Sequence, residues 1–203
     1  MAFDTKRFAW LANHLQSLPA GLDSHPECKA KGTLVRSYAA GVPVEKVRGA
    51  DLPAPVEALF LTPPANSAWV PEVVSWAGIF AVADLLGLDE PGFARWMAAK
   101  NRELFTNPVM RVVMNFTSPT LALALSSAYW GVIHHGSRLK LVGSEELTAR
   151  VALDYPDRLF GEKAAQGLAV AFTVALELSR ARRPNVSLER WTPTESTFVA
   201  RWA

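Results

Sequence analysis

Apolar and polar positions change period along the chain, and the changes predict two kinds of structure. Residues 4–18 place Phe8, Leu11 and Leu15 at helical spacing behind Asp4, a good N-cap. Pro19, Gly21 and Pro26 then break the pattern, so residues 1–29 read as a helix on a flexible arm. Gly32–Ala40 carries Leu34, Val35 and Tyr38, fits a short helix or a strand, and ends at Gly41. Prolines at 43, 53, 55, 63, 64 and 71 leave room only for short helical turns, over Val44–Arg48 and Ala54–Leu61.

Glu72–Leu86 predicts a helix that is apolar nearly all round, through Val73, Trp76, Ala77, Phe80, Val82, Ala83 and Leu86. Such a helix belongs at the centre of a fold. Its polar exception is Asp84, for which a hydrogen bond to a neighbouring element is the expected use. Gly87 stops this helix. Asp89 caps the next, whose inner face holds Phe93, Trp96, Met97 and Leu104, and another helix is expected around Val109–Phe116. Ser118-Pro119 restarts a helix expected to run to His135 and stop at Gly136. One of its faces carries Leu121, Leu125, Ala128 and Val132. Another mixes Leu123, Ser127, Trp130 and His134.

Beyond Gly136 the period becomes two. Ser137–Val142 and Leu147–Tyr155 alternate around a loop at Gly143–Glu146, and Asn185–Trp191 and Ser196–Trp202 alternate around Thr192–Glu195. Between the pairs, Phe160–Ala181 predicts a helix with a small-residue face of Ala164, Gly167, Leu168, Ala171, Phe172 and Ala175. The expected class is α+β. A helical part over residues 30–116 precedes a linking helix and a ββαββ four-stranded antiparallel sheet with a crossing helix over 117–203, together one domain spanning 30–203.

Composition narrows the function. The 203 residues are 50% hydrophobic and 20% charged, which is the balance of a globular chain. The net charge is +2, and no quarter of the chain carries a basic stripe, so nucleic acid is not an expected partner. The basic group Arg180, Arg182 and Arg183 lies where a helix should end, where the dipole favours cations. No apolar signal core opens the chain, and Leu121–Ile133 is too short to span a bilayer. A cytoplasmic protein with a reduced Cys28 is expected.

Chemistry-bearing motifs are sparse. His25 and Cys28 make half of a zinc site with no second half. His134-His135, read as the last turn of a helix, point about 100° apart and cannot form an i, i+4 metal pair. No nucleotide-binding glycine loop, nucleophile elbow or HExxH occurs, so no enzyme and no metal or other cofactor is expected. The seven Trp read mainly as packing anchors, with a subset available to line a pocket.

Several spaced motifs carry a resemblance. They are Ala30-Lys-Gly-Thr-Leu-Val-Arg-Ser-Tyr38, Trp69-Val-Pro71, Phe116-Thr-Ser-Pro119, Tyr129-Trp130 with Gly136, Asp154-Tyr155-Pro-Asp-Arg158 and Phe198-Val-Ala-Arg-Trp202. Over residues 30–202 the chain resembles a paralogous family of unknown function expanded in myxobacteria. That family is distantly similar to heme-nitric oxide/oxygen binding (H-NOX) domains and to 4-vinyl reductase domains. Residues 118–198 also resemble the effector-binding half of some AraC-type regulators. H-NOX domains hold heme through a His on a helix upstream of a Tyr-x-Ser-x-Arg motif. Here the matching helix region is Leu121–Leu125 and residues 26–133 contain no His, while Tyr155-Pro-Asp-Arg158 lacks the Ser and places its Arg one residue early. The resemblance therefore implies a non-enzymatic sensor or signalling adaptor domain without heme. Its cleft would take a small apolar ligand, with Trp76, Trp130 and His134 as walls and Arg158 as polar anchor. The alternative is a protein-interaction module with no ligand, presenting the N-terminal arm and residues 53–71 to a signalling protein. Homodimerisation is left open.

Overall fold

The computed structural model describes residues 3–106, 118–179 and 181–203. The expected helix around Val109–Phe116 lies outside them. The chain forms two compact units, one of Met1–Phe93 with Ile133–Gly136 and one of Ala94–Val132 with Ser137–Ala203.

The first unit is built around one central helix. Its elements are α1 (Ala9–Ser17), β1 (Lys29–Lys31), α2 (Gly32–Ala39), α3 (Val44–Val47), α4 (Ala54–Leu61), β2 (Trp69–Pro71) and α5 (Glu72–Leu86). The apolar circumference of α5 is used in full: every residue from Glu72 to Ala83 except Ile79 is buried. α1, α2 and α4 surround it. Gly78 permits the closest approach, because a Cβ there would lie 2.8 Å from both Leu59 Cδ1 and Tyr38 Oη. Tyr38 then donates its hydroxyl to the Ser75 carbonyl at 3.0 Å. Gly87 ends α5 in the left-handed region, at φ 64°.

The N-terminal segment is packed rather than standing off as an arm. Phe8 and Leu11 are fully buried, and Trp10 tilts against Phe93 with centroids 4.9 Å apart. Asp84 supplies the cap that α1 lacks locally. Its carboxylate accepts from the Trp10 N–H at 3.1 Å and the Leu11 N–H at 3.0 Å, while Asp4 caps only the preceding turn. The expected hydrogen bond of Asp84 is thus to a neighbouring helix. Asp89 similarly accepts from the Gly92 N–H at 2.7 Å at the start of α6 (Glu90–Phe105), which begins in the first unit and continues into the second.

α7 (Pro119–Ile133) is shorter than the pattern suggests. His134-His135 are not its last turn. They form β3, and β1 pairs antiparallel with both β2 and β3 in a small three-stranded sheet. Ala30 is the hub, opposite Val70 on one side and His134 on the other. The helix stops because these two residues pair with a strand of the first unit. Gly136 (φ 81°) then turns the chain away, and a Cβ there would lie 2.9 Å from Cys28 Cα.

The second unit contains the four-stranded antiparallel sheet. Its strands β4 (Arg138–Glu145), β5 (Thr148–Asp154), β6 (Asn185–Trp191) and β7 (Glu195–Arg201) stand in the order β4-β5-β7-β6. Gly143 is not in the hairpin loop. It lies within β4 beside a register irregularity, and the turn is Glu146-Leu147. α8 (Glu162–Glu177) crosses one face through its small-residue stripe, with Phe172 edge-on to Phe198 at 5.2 Å. The linking α7 turns its mixed face inward, burying Leu123 and Trp130. The uniformly apolar face is exposed instead, with Leu121 51% and Val132 55% accessible. The expected class, helices plus a ββαββ antiparallel sheet with a crossing helix, is the one observed.

Candidate functional site

Among the described residues, the most deeply buried ion pair lies in the first unit. Glu72 opens α5 and donates its backbone N–H to the Cys28 carbonyl at 2.8 Å. Its side chain is 1% exposed and places Oε2 2.8 Å from Nδ1 of His134, itself 8% exposed. Two long polar side chains are therefore matched inside the small sheet. Cys28 lies beside them. Burial first, then the neighbouring Glu27 and Glu72 carboxylates, push its thiol up to about 12, which disfavours the nucleophilic thiolate. On the outer side His135 stacks on Trp69 at 3.7 Å, and Lys31 Nζ lies 3.9 Å from the same indole.

His14 is a second buried imidazole. Burial drives its pKa down to about 4, a hydrogen bond with the Val73 backbone opposes the shift weakly, and Nε2 has no partner. The ring packs against Phe80 with centroids 5.0 Å apart. Among the described residues no group of three His, Cys, Asp or Glu side chains could hold a metal ion.

The second unit carries a groove of about 400 Å³ between the last turns of α7 and the first residues of edge strand β4. Trp130 forms its wall and is locked there by an indole N–H bond to Ser137 Oγ at 3.0 Å. Ser127, Gly131, Arg138 and Lys140 line the rest, with Ala128 and Leu139 between them. Ser127 donates to the Leu123 carbonyl at 3.1 Å. Lys140 pairs with Asp154 on β5.

The four residues expected to share a cleft are distributed over both units. Trp76 is 3% exposed in the interior of the first unit, beside Phe80 at 5.8 Å. His134 is in the first unit, paired with Glu72. Trp130 lines the groove of the second unit. Arg158 belongs to that unit too but stands exposed in the turn after β5, at φ 58°, with its N–H bonded to the Pro193 carbonyl at 2.6 Å. Arg158 is not among the groove residues. Ser137, Arg138, Lys140 and Gly131 had no distinguishing sequence signal. Ser127 did, because it shares the Trp130 face of the helix.

No protein-family profile matches the chain. No curated protein matches it in sequence. Solved structures do match in shape. The Fe(II) unliganded H-NOX protein of K. algicida has a TM-score of 0.58 at 8% identity, covering 85% of this chain and 96% of that one. A single-substitution variant of it has 0.56 at 6% identity with the same coverage. The fold is H-NOX-like.

The position that the resemblance gives to the heme ligand is not filled by a histidine in this chain. α7, on which the resemblance places the heme-binding His, turns Ala122, Leu123 and Trp130 inward and carries no His. His134 commits Nδ1 to Glu72, and His135 is stacked on Trp69 at the surface. The bare nitrogen of His14 sits in the aromatic packing around Phe80. Among the described residues no helix is long and apolar enough to cross a membrane.

Proposed function

We propose that this protein is a non-enzymatic, heme-free member of the H-NOX-like fold that senses a small molecule or acts as a signalling adaptor. The observation that carries the heme-free part is the absence of a histidine from α7. α7, on which the resemblance places the heme-binding His, carries none, and residues 26–133 contain no His. The observation that supports small-molecule binding is the groove at Trp130, whose volume falls in the range of ligand sites. The non-enzymatic reading rests on the buried, protonated Cys28 and on the lack of a nucleophile–base pair among the described groove residues.

Hemin titration and a thermal-shift screen test this together. Hemin is expected to give no stoichiometric Soret band, and a ligand held at a hundred times its Kd to add about 2.7 kcal/mol to stability. A stoichiometric Soret band, or a broad metabolite screen without any shift, overturns the reading.

A second reading is favoured by α7. Leu121, Leu125, Tyr129 and Val132 are all between 39% and 55% exposed on one side of a helix that carries no charged residue. A contiguous apolar face of that kind suits a protein partner. Replacing Leu125 and Val132 by Glu is expected to abolish partner capture if this reading holds and to leave small-molecule shifts intact.

A further inference from the structure

We infer that the groove between α7 and β4 is a binding site for a small organic anion with a single negative charge. The inference rests on the ligand-binding reading above and gives that ligand a chemistry.

Three observations converge. First, Gly131 lies in the last turn of α7 and lines the groove. Nothing in the packing asks for it. Its φ is not positive, and a Cβ built there would meet no atom within 4 Å. Gly131 is a lining residue of the groove, and the space beside it is open. With glycine at this position the groove wall carries no side chain there.

Second, the Ser137 hydroxyl on the wall is free to donate. Ser137 Oγ accepts the Trp130 indole N–H, so its own hydroxyl proton is left to point elsewhere, and the groove is the space beside it. The indole bond fixes that hydroxyl at 3.0 Å from Nε1. Such pre-orientation lowers the entropic cost of gripping a ligand.

Third, the charge is one-sided. The lining contains Arg138 and Lys140 and no carboxylate. Lys140 is balanced by Asp154, whereas Arg138 is exposed and has no ion-pair partner among the described residues. The C-terminal end of α7 opposes an anion with about half an elementary charge. The full charge of Arg138 exceeds it, and the net excess suits one negative charge better than two. The planar guanidinium is also the side chain best matched to a carboxylate. Trp130, Ala128 and Leu139 provide an apolar wall for the remainder of the ligand.

The test titrates the full-length protein with benzoate and hexanoate, and with benzamide and hexanamide as neutral counterparts of the same shape. Binding is read from the Trp130 indole N–H resonance and from the melting temperature. The carboxylates are expected to move that resonance saturably. Arg138→Gln should weaken them about tenfold, the loss of one charge-assisted hydrogen bond, with the amides unaffected. Gly131→Leu should abolish the response while leaving the melting temperature unchanged or higher, since a side chain there meets open space. If amides and carboxylates bind equally and Gly131→Leu blocks both, the anion assignment is wrong while the small-molecule reading stands. If neither class moves the resonance, or Gly131→Leu leaves carboxylate binding intact, the groove is not the site. The metabolite screen then decides the broader reading alone.

Discussion

Glu72 Oε2 and His134 Nδ1 meet at 2.8 Å although 62 residues separate them, and both side chains are almost wholly inaccessible. Removing either one takes from the other a partner held at 2.8 Å. Glu72→Ala and His134→Ala are each expected to cost about 3 kcal/mol, the usual penalty for breaking a buried pair from one side. The double variant should cost much less than the sum. Urea denaturation of the four proteins measures the coupling, and additive losses would refute it.

His14 should make the protein acid-sensitive. Its pKa in the folded state is about 4, below the ordinary 6.5 of the unfolded chain. Its contribution is therefore complete above pH 6.5 and is lost as the pH falls toward 4, by an amount on the order of 3 kcal/mol. Replacement by Phe removes the proton-binding group and the unpartnered nitrogen together. His14→Phe should show a flatter stability profile between pH 6.5 and 4. A profile parallel to that of the natural protein would exclude His14 as the cause.

Asp84 acts in the opposite sense. Burial raises its pKa above 3.8, more than the α1 N–H groups lower it. Stability from this group is thus full below 3.8 and declines as the pH rises through the raised value. Asp84→Asn keeps an acceptor for α1 but cannot ionise. It should match the natural protein closely at the acid end, where both side chains are neutral, and gain on it as the pH rises from 4 toward neutrality. A deficit that grows over that range would contradict the assignment.

Gly136 tolerates no side chain. It has φ 81°, and a Cβ would press on Cys28. Gly136→Ala is expected to destabilise by 2 kcal/mol or more, a rough sum of left-handed strain and overpacking. The same burial predicts that Cys28 resists iodoacetamide at pH 8 in the native protein and reacts once unfolded. In Gly136→Ala, native-state alkylation should accelerate. Unchanged protection would show that the contact is relieved elsewhere.

The readable and unreadable parts of this fold differ in a physical way. α5 and β6 match the pattern to the residue because each is long enough for its period to show, and α4 does because the prolines around it set its bounds. The small sheet did not show, because its strands are two or three residues long and their partners are far apart in sequence. Gly136 looked like the end of a helix because a positive φ serves equally well after a strand. Gly143 looked like a turn for the same reason and instead sits beside a bulge. For α7 the pattern contained two apolar faces, and hydrophobicity alone could not say that Leu121 and Val132 face out while Leu123 and Trp130 face in. Of the candidate site, Trp130 was legible as an aromatic on a mixed face. Arg138 and Lys140 read simply as the polar side of a strand, because only the structure puts them beside Gly131.

The four residues Ile133–Gly136 belong to the first unit although the chain on either side of them belongs to the second. This has a temporal consequence. As the chain leaves the ribosome, β1 has only β2 beside it and Glu72 has no imidazole until residue 134 emerges. By then α5 and α6 have long been made and α7 has just been completed. The N-terminal half therefore cannot finish folding before the C-terminal half has begun, and synthesis halted at Phe93 would release an unfinished sheet with an unpaired carboxylate at its centre.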